Sequence, residues 1–136
     1  MVSVRRGFAS FSVDDVGAAR QFYSDVLGLR VTDAADSLIL HLPGGTTVFV
    51  YPKEDHTAAT FTVFHLAVDD VDAVVDELAA QGVEPLRYDA FDHDDKGVVR
   101  GFMEGGDGAW FADPAGNVIG FMDGEGARLF EEATSA

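Results

Sequence analysis

The chain has no cysteine. Disulfides and thiolate metal sites are therefore excluded, and the composition suits a reducing compartment. Lysine is almost absent too, with Lys53 and Lys96 alone. Against 9 basic side chains stand 24 acidic ones, giving a formal charge of −15. Such a surface repels phosphate backbones, so nucleic acid is not expected as a partner. It would attract cationic ligands, although an Asp-rich, Lys-poor surface also arises as a solubility device in a salty or GC-rich host. No apolar run reaches the length of a membrane span, and the opening "MVSVRRGFASFSV" is too short and too polar in its apolar part for a signal peptide. The expectation is a cytoplasmic protein with no membrane partner.

What is present is enough for a core. With 136 residues, 47% of them hydrophobic and 11 of them phenylalanine, the chain makes one domain or two half-domains sharing a core. It also repeats itself. "VDDV" stands at Val13–Val16 and again at Val68–Val71, an offset of 55 residues, with Ala18 and Ala73 also matching. Gly28 then answers to Gly82 at an offset of 54. Similarity at a long fixed offset marks a duplicated structural unit, and two copies are too few for a solenoid.

Each copy reads as β-α-β-β-β. In the first, "GFASFSV" alternates as a strand and Asp14 or Asp15 caps a helix. Val16, Ala19, Phe22, Tyr23, Val26 and Leu27 recur at helical spacing until Gly28. Strands follow near 29–33, 36–42 and 46–51. In the second, "FTVFHLAV" is a strand, Asp70 caps a helix striped by Val71, Val74, Val75 and Leu78, and Gly82 closes it. Strands are expected near 84–89, 97–103, 109–112 and 117–123, with the acidic "YDAFDHDDKG" as a loop or lid. "DPAGN" at Asp113–Asn117 is a turn signal, Pro fixing φ and Gly or Asn taking positive φ. The organisation expected is one domain over 1–136: repeat one at about 6–52, a linker at 53–60, repeat two at about 61–123, and a tail at 124–136 that adds a short helical turn.

These residues resemble a known family. "VDDVGAARQFYSDVLGLRV" is similar to the opening helix of the vicinal oxygen chelate superfamily, which includes glyoxalase I, bleomycin-resistance proteins, fosfomycin-resistance proteins and extradiol dioxygenases. "VDDVDAVVDELAAQGVEP" and "AWFADPAGNVIGFMD" resemble its second helix and last hairpin. The resemblance implies an α+β fold: two βαβββ repeats forming a curved mixed sheet with the helices outside. It also implies a metal site whose His and Glu ligands stand on the first and last strands of each repeat. Carried onto this chain, those positions are Phe8, Phe49, Val63 and Gly120, and none has an imidazole or carboxylate. The sequence therefore predicts no metal and no cofactor.

Without a metal, the expected site is an aromatic cup. Strand alternation places Phe8, Ser10 and Ser12 on one face, Thr47, Phe49 and Tyr51 on another, and Val63 with His65. Gly120 goes with Val118 and Met122, and Trp110 joins them unless Phe111 does by reversed parity. The predicted ligand-binding residues are Phe8, Ser10, Phe49, Tyr51, Val63, His65, Trp110 and Met122. His65 is the one candidate acid or base. His41 ends a strand and is open to either side; His56 in the linker and His93 in the acidic loop are expected in solvent, as is Glu104. No nucleophile–base pair, glycine-rich nucleotide loop or HExxH spacing is read. Two functions follow from the resemblance: a metal-free binder of a small organic ligand, dimeric as the family commonly is, or an enzyme of the superfamily of the lyase, isomerase or dioxygenase class.

Overall fold

The structure is a computed structural model that describes residues 1–135. The chain divides into two compact units, Met1–Ala58 and Ala59 onward. Each is a four-stranded mixed sheet with a helix against one face.

In the first unit the order is β1 (Ala9–Val13), α1 (Val16–Gln21), β2 (Arg30–Ala34), β3 (Ser37–His41) and β4 (Thr47–Pro52), with sheet order β1-β4-β3-β2. β1 runs parallel to β4, and the other pairs are antiparallel. Asp15 is the N-cap, its Oδ1 accepting the Ala18 amide at 3.0 Å. α1 then widens into a π-helical turn over Phe22–Val26, where the Leu27 amide reaches the Phe22 carbonyl at 2.9 Å. Gly28, at φ 72°, ends it, and the Leu29 amide returns to Tyr23 in the bond pattern of a left-handed glycine cap. Phe11, Val13, Leu38, Leu40, Val48 and Val50 are buried on the helix side with Phe22 and Tyr23. Each such large side chain contributes roughly 1.5–3 kcal/mol on burial.

The second unit has β5 (Thr62–Ala67), α2 (Val71–Ala80), β6 (Val99–Gly101), a single irregular turn α3 (Phe102–Gly105), β7 (Gly106–Ala112), β8 (Val118–Met122) and α4 (Gly124–Ser135). Its sheet order, β5-β8-β7-β6, repeats that of the first unit, with β5 parallel to β8. Asp70 caps α2 by accepting the Asp72 amide, and Val71, Val75 and Leu78 are its buried stripe. Phe64, Ala109, Phe111, Ile119 and Phe121 are buried with them.

The paired β-α-β-β-β reading therefore holds in both units, with four local corrections. Residues 84–89 are not a strand: Pro85 has no amide to give a ladder, and the segment crosses β7 through one bond, Leu86 N–H to the Trp110 carbonyl at 2.7 Å. The tail forms a 12-residue helix rather than one turn. β5 carries an irregularity between Thr62 and Phe64. The α-helical bonding of α1 stops at Gln21 rather than running on to Leu27. Among the described residues no helix is long and apolar enough to cross a membrane.

Candidate functional site

The face of each sheet that its helix leaves uncovered holds most of the residues singled out from the sequence. In the first unit, β1 pairs Ser10 with Phe49 and Ser12 with Tyr51, and β3 pairs Ile39 with Phe49. Alternation thus sets Ser10, Ser12, Thr47, Phe49 and Tyr51 opposite the buried Val48 and Val50. Phe49 and Tyr51 are half-buried and stack on one another, ring centroids 5.5 Å apart with 26° between planes. Phe8 precedes β1 and is 64% exposed, so it lies beyond the strand instead of lining it.

Two histidines join this face. His41 Nε2 lies 2.8 Å from the Thr32 hydroxyl, and His56 Nδ1 lies 2.7 Å from the Ser12 hydroxyl. His56 is therefore half-buried and bonded, not in solvent as its linker position suggested. A turn brings it there: the Lys53 amide bonds Val13 and the His56 amide bonds Lys53. The Ser12–His56 contact is also a hydroxyl–imidazole pair that sequence reading missed, because 44 residues separate the partners. Its clear role is to tie residues 53–56 onto β1.

In the second unit, the row across the sheet is His65, Gly120 and Trp110, paired residue to residue. Trp110 rather than Phe111 shares the face of Gly120, as the favoured parity required. The irregularity in β5 changes what stands beside His65. Thr62, not Val63, takes the register position two residues from Gly120's row, opposite Val118. A β-carbon at Gly120 would meet His65 Cδ2 at 2.6 Å and Thr62 Cγ2 at 3.2 Å. The alternation that joined Val63 to His65 is thus broken by one inserted residue. His65 is exposed at its edge, yet burial of part of its ring pushes its pKa below the ordinary imidazole value. The proton-free imidazole is then the dominant form at neutral pH.

Trp110 is not an open platform. It is 5% exposed, enclosed by the chain's own 86–102 segment. Phe91 stacks on it at 5.3 Å with 9° between planes, while Tyr88 and Phe102 meet it edge-on at 5.9 and 5.1 Å. His93 completes the cluster at 6.2 Å. Its Nε2 accepts the Tyr88 amide at 2.9 Å, so the ring proton is on Nδ1, which donates to the Gly97 carbonyl at 2.7 Å. His93 is another residue expected in solvent that is half-buried and fully bonded. Met122 is 4% exposed on the Trp110 side of β8, opposite Gly108. Glu104 is exposed, at a positive φ of 56°.

The matching family model spans residues 6–121 and is that of the glyoxalase/bleomycin resistance protein/dioxygenase superfamily. The chain belongs to this superfamily. Among solved structures it is similar to the oxidase ChaP-H2, with 20% identity over 90% of this chain and 95% of that one and a TM-score of 0.64. It is also similar to the fosfomycin resistance protein FosX from Listeria monocytogenes, with 16% identity, 91% and 95% coverage and a TM-score of 0.65. Lactoylglutathione lyase from Agrobacterium tumefaciens matches at 17% identity, 91% and 96% coverage and a TM-score of 0.61. At these identities the likeness is one of fold. No curated protein matches the chain.

The superfamily's fold implies a metal, and the residues at the ligand positions do not fit one. Phe8, Phe49, Val63 and Gly120 offer no donor atom in their side chains. His65 beside Gly120 is a single imidazole, and among the described residues no three His, Asp or Glu side chains gather as a metal-holding group.

Proposed function

We propose that this superfamily member is a metal-free binding protein for a small organic ligand, aromatic or cationic, held against the helix-free sheet faces. One observation carries the reading: where the family places metal donors, this chain places Phe49 in a stacked pair with Tyr51, and Gly120 beneath an imidazole. Stacked rings with nearby hydroxyls from Ser10 and Ser12 suit a flat ligand with a few polar atoms. The charge of −15 favours a cationic one. Dimerisation and a cytoplasmic location belong to the same proposal, on the habits of the family and the absence of cysteine.

A second reading, an enzyme of the superfamily with His65 as acid or base, draws on the lowered pKa of that residue. One experiment separates the two. A panel of aromatic cations, neutral aromatics and divalent metals is screened by thermal shift and then by calorimetry. The binding reading expects an aromatic ligand to raise Tm without added metal, and Phe49→Ala or Tyr51→Ala to weaken it about tenfold. Binding or turnover that demands one metal per chain, or product formation lost in His65→Ala, overturns it.

A further inference from the structure

We propose that the indole face of Trp110 is a binding site for a planar aromatic cation, and that Phe91 is the plug that closes it until the ligand arrives. The inference deepens the binding reading above and rests on it.

Phe91 already makes the contact a flat ligand would make. Its ring lies parallel to the indole at 5.3 Å, while Tyr88 and Phe102 stand edge-on as walls. These are the two favourable geometries for aromatic neighbours, with Phe91 in the stacked position between edge-on rings. The two stacked partners differ in exposure. Trp110 is 5% exposed and fixed in the middle of β7, whereas Phe91 is 41% exposed at a loop tip. The fixed partner has the character of a site, and the exposed one that of an occupant.

The loop is built to release its tip alone. Its base is pinned by Leu86 N–H to Trp110, by His93 to Tyr88 and Gly97, and by Arg87, whose guanidinium donates to the Asp94 and Asp95 carbonyls at 3.0 and 2.9 Å. The four tip residues, 89–92, are all exposed; the Phe91 amide bonds the Tyr88 carbonyl at 3.1 Å, and the tip ends where His93 bridges to Val99. A segment with few buried contacts above a bonded base opens locally at low cost.

Charge selects the ligand. Asp89 and Asp92 flank Phe91, are exposed, and form no ion pair among the described residues. The nearby basic groups are engaged elsewhere: Arg87 on the two carbonyls, Lys96 with Asp72 and Asp76, Arg100 with Asp72, Asp94 and Asp107. A cation at the indole face therefore gains both the ring's quadrupole and two carboxylates.

Trp110 is the single tryptophan, so its indole N–H gives one side-chain signal in a ¹⁵N–¹H spectrum. The probes are 1-methylquinolinium and its neutral isostere 1-methylnaphthalene, titrated into the wild-type chain, Phe91→Ala and Asp89→Asn/Asp92→Asn. The cation is expected to shift the Trp110 signal saturably, about two- to tenfold more tightly in Phe91→Ala, since removing the plug removes a competing stacked ring. The neutral isostere and the double aspartate variant are expected to bind more weakly. Phe91→Leu, which keeps bulk but not planar stacking, should fall between wild type and Phe91→Ala and covers the case in which the alanine variant folds poorly. Equal affinity in all Phe91 variants, no Trp110 shift, or equal binding of cation and isostere overturns the proposal. A ligand that binds through Phe49 and Tyr51 while the Trp110 signal stays still overturns this inference alone. Failure of every ligand on both assays removes the binding reading with it.

Discussion

The imidazole of His65 fills the space into which a side chain at Gly120 would project. A β-carbon there would stand 2.6 Å from His65 Cδ2 and 3.0 Å from Nε2. The glycine and the histidine are therefore one arrangement, in which the small residue makes room for the ring.

Gly120→Ala should displace that ring into water. The obstacle is the end of a side chain on an exposed strand residue, so the expected stability loss is small, roughly 1 kcal/mol. Burial holds the His65 pKa below its ordinary value, so the midpoint should rise toward about 6.5 in the variant. The sign for stability follows from linkage. The unfolded chain takes up the proton first, so wild-type stability falls as pH drops through the unfolded value of about 6.5. His65→Gln should remove that component. NMR titration of the imidazole checks the midpoint, and denaturation at several pH values checks the slope. An unmoved midpoint in Gly120→Ala means the ring was not held by the glycine.

Much of this was legible in the sequence because it is local. The twin "VDDV" motifs predicted caps at Asp14 or Asp15 and at Asp70, and it is Asp15 and Asp70 that accept helix amides. Alternation in "TVFVY" separated Val48 and Val50 from Phe49 and Tyr51 correctly. What was hidden depends on distant partners. One inserted residue in β5 put Thr62 where Val63 was expected, and nothing in "FTVFH" marks the insertion. The acidic count of "YDAFDHDDKG" suggested a solvated loop. The informative residues were Tyr88, Phe91 and His93, spaced to return three rings to Trp110.

The turn at Asp113–Asn117 depends on a single carboxylate. Asp113 Oδ1 accepts the amides of Ala115 and Asn117 at 2.9 and 2.8 Å, and both Asp113 and Asn117 are buried. Asp113→Ala leaves the Asn117 amide without its acceptor, a loss of about 1–3 kcal/mol. Asp113→Asn retains an acceptor oxygen and should lose less. Urea denaturation of the two variants gives the comparison, and equal losses would place the cost in the charge instead.

Gly106 is small because a backbone passes it. A β-carbon there would lie 2.0 Å from the Asp123 carbonyl oxygen and 3.0 Å from its carbon, where β8 leads into α4. A main chain cannot swing aside as a ring can. Gly106→Ala should therefore cost about 1–3 kcal/mol, and Gly7→Ala, with open space around it, within about 0.5 kcal/mol of zero. Thermal melts of both variants decide whether the close approach sets the residue.

Arg100 draws three carboxylates together across the second unit. It pairs with Asp72 at 2.6 Å, Asp94 at 2.7 Å and Asp107 at 2.9 Å, linking the start of α2 to the 94–100 segment and β7. The guanidinium, aided by Lys96, holds the Asp72 carboxyl well below the usual carboxylate range. A depressed folded-state pKa gives stability that is complete above the unfolded value of about 3.9 and is lost as pH falls below it. Arg100→Ala leaves three like charges without their bridge. Because the network is exposed, the loss at neutral pH should be on the order of 1 kcal/mol and should shrink in high salt. As pH falls below about 4 the gap narrows, since protonation removes the carboxylate repulsion from the variant and, at lower pH, the attraction from the wild type. The two proteins should therefore differ most near neutrality and converge in acid. Denaturation curves taken between neutral and acid pH, at low and high salt, test this. A gap that persists unchanged into acid would assign the role of Arg100 to the packing of its stem.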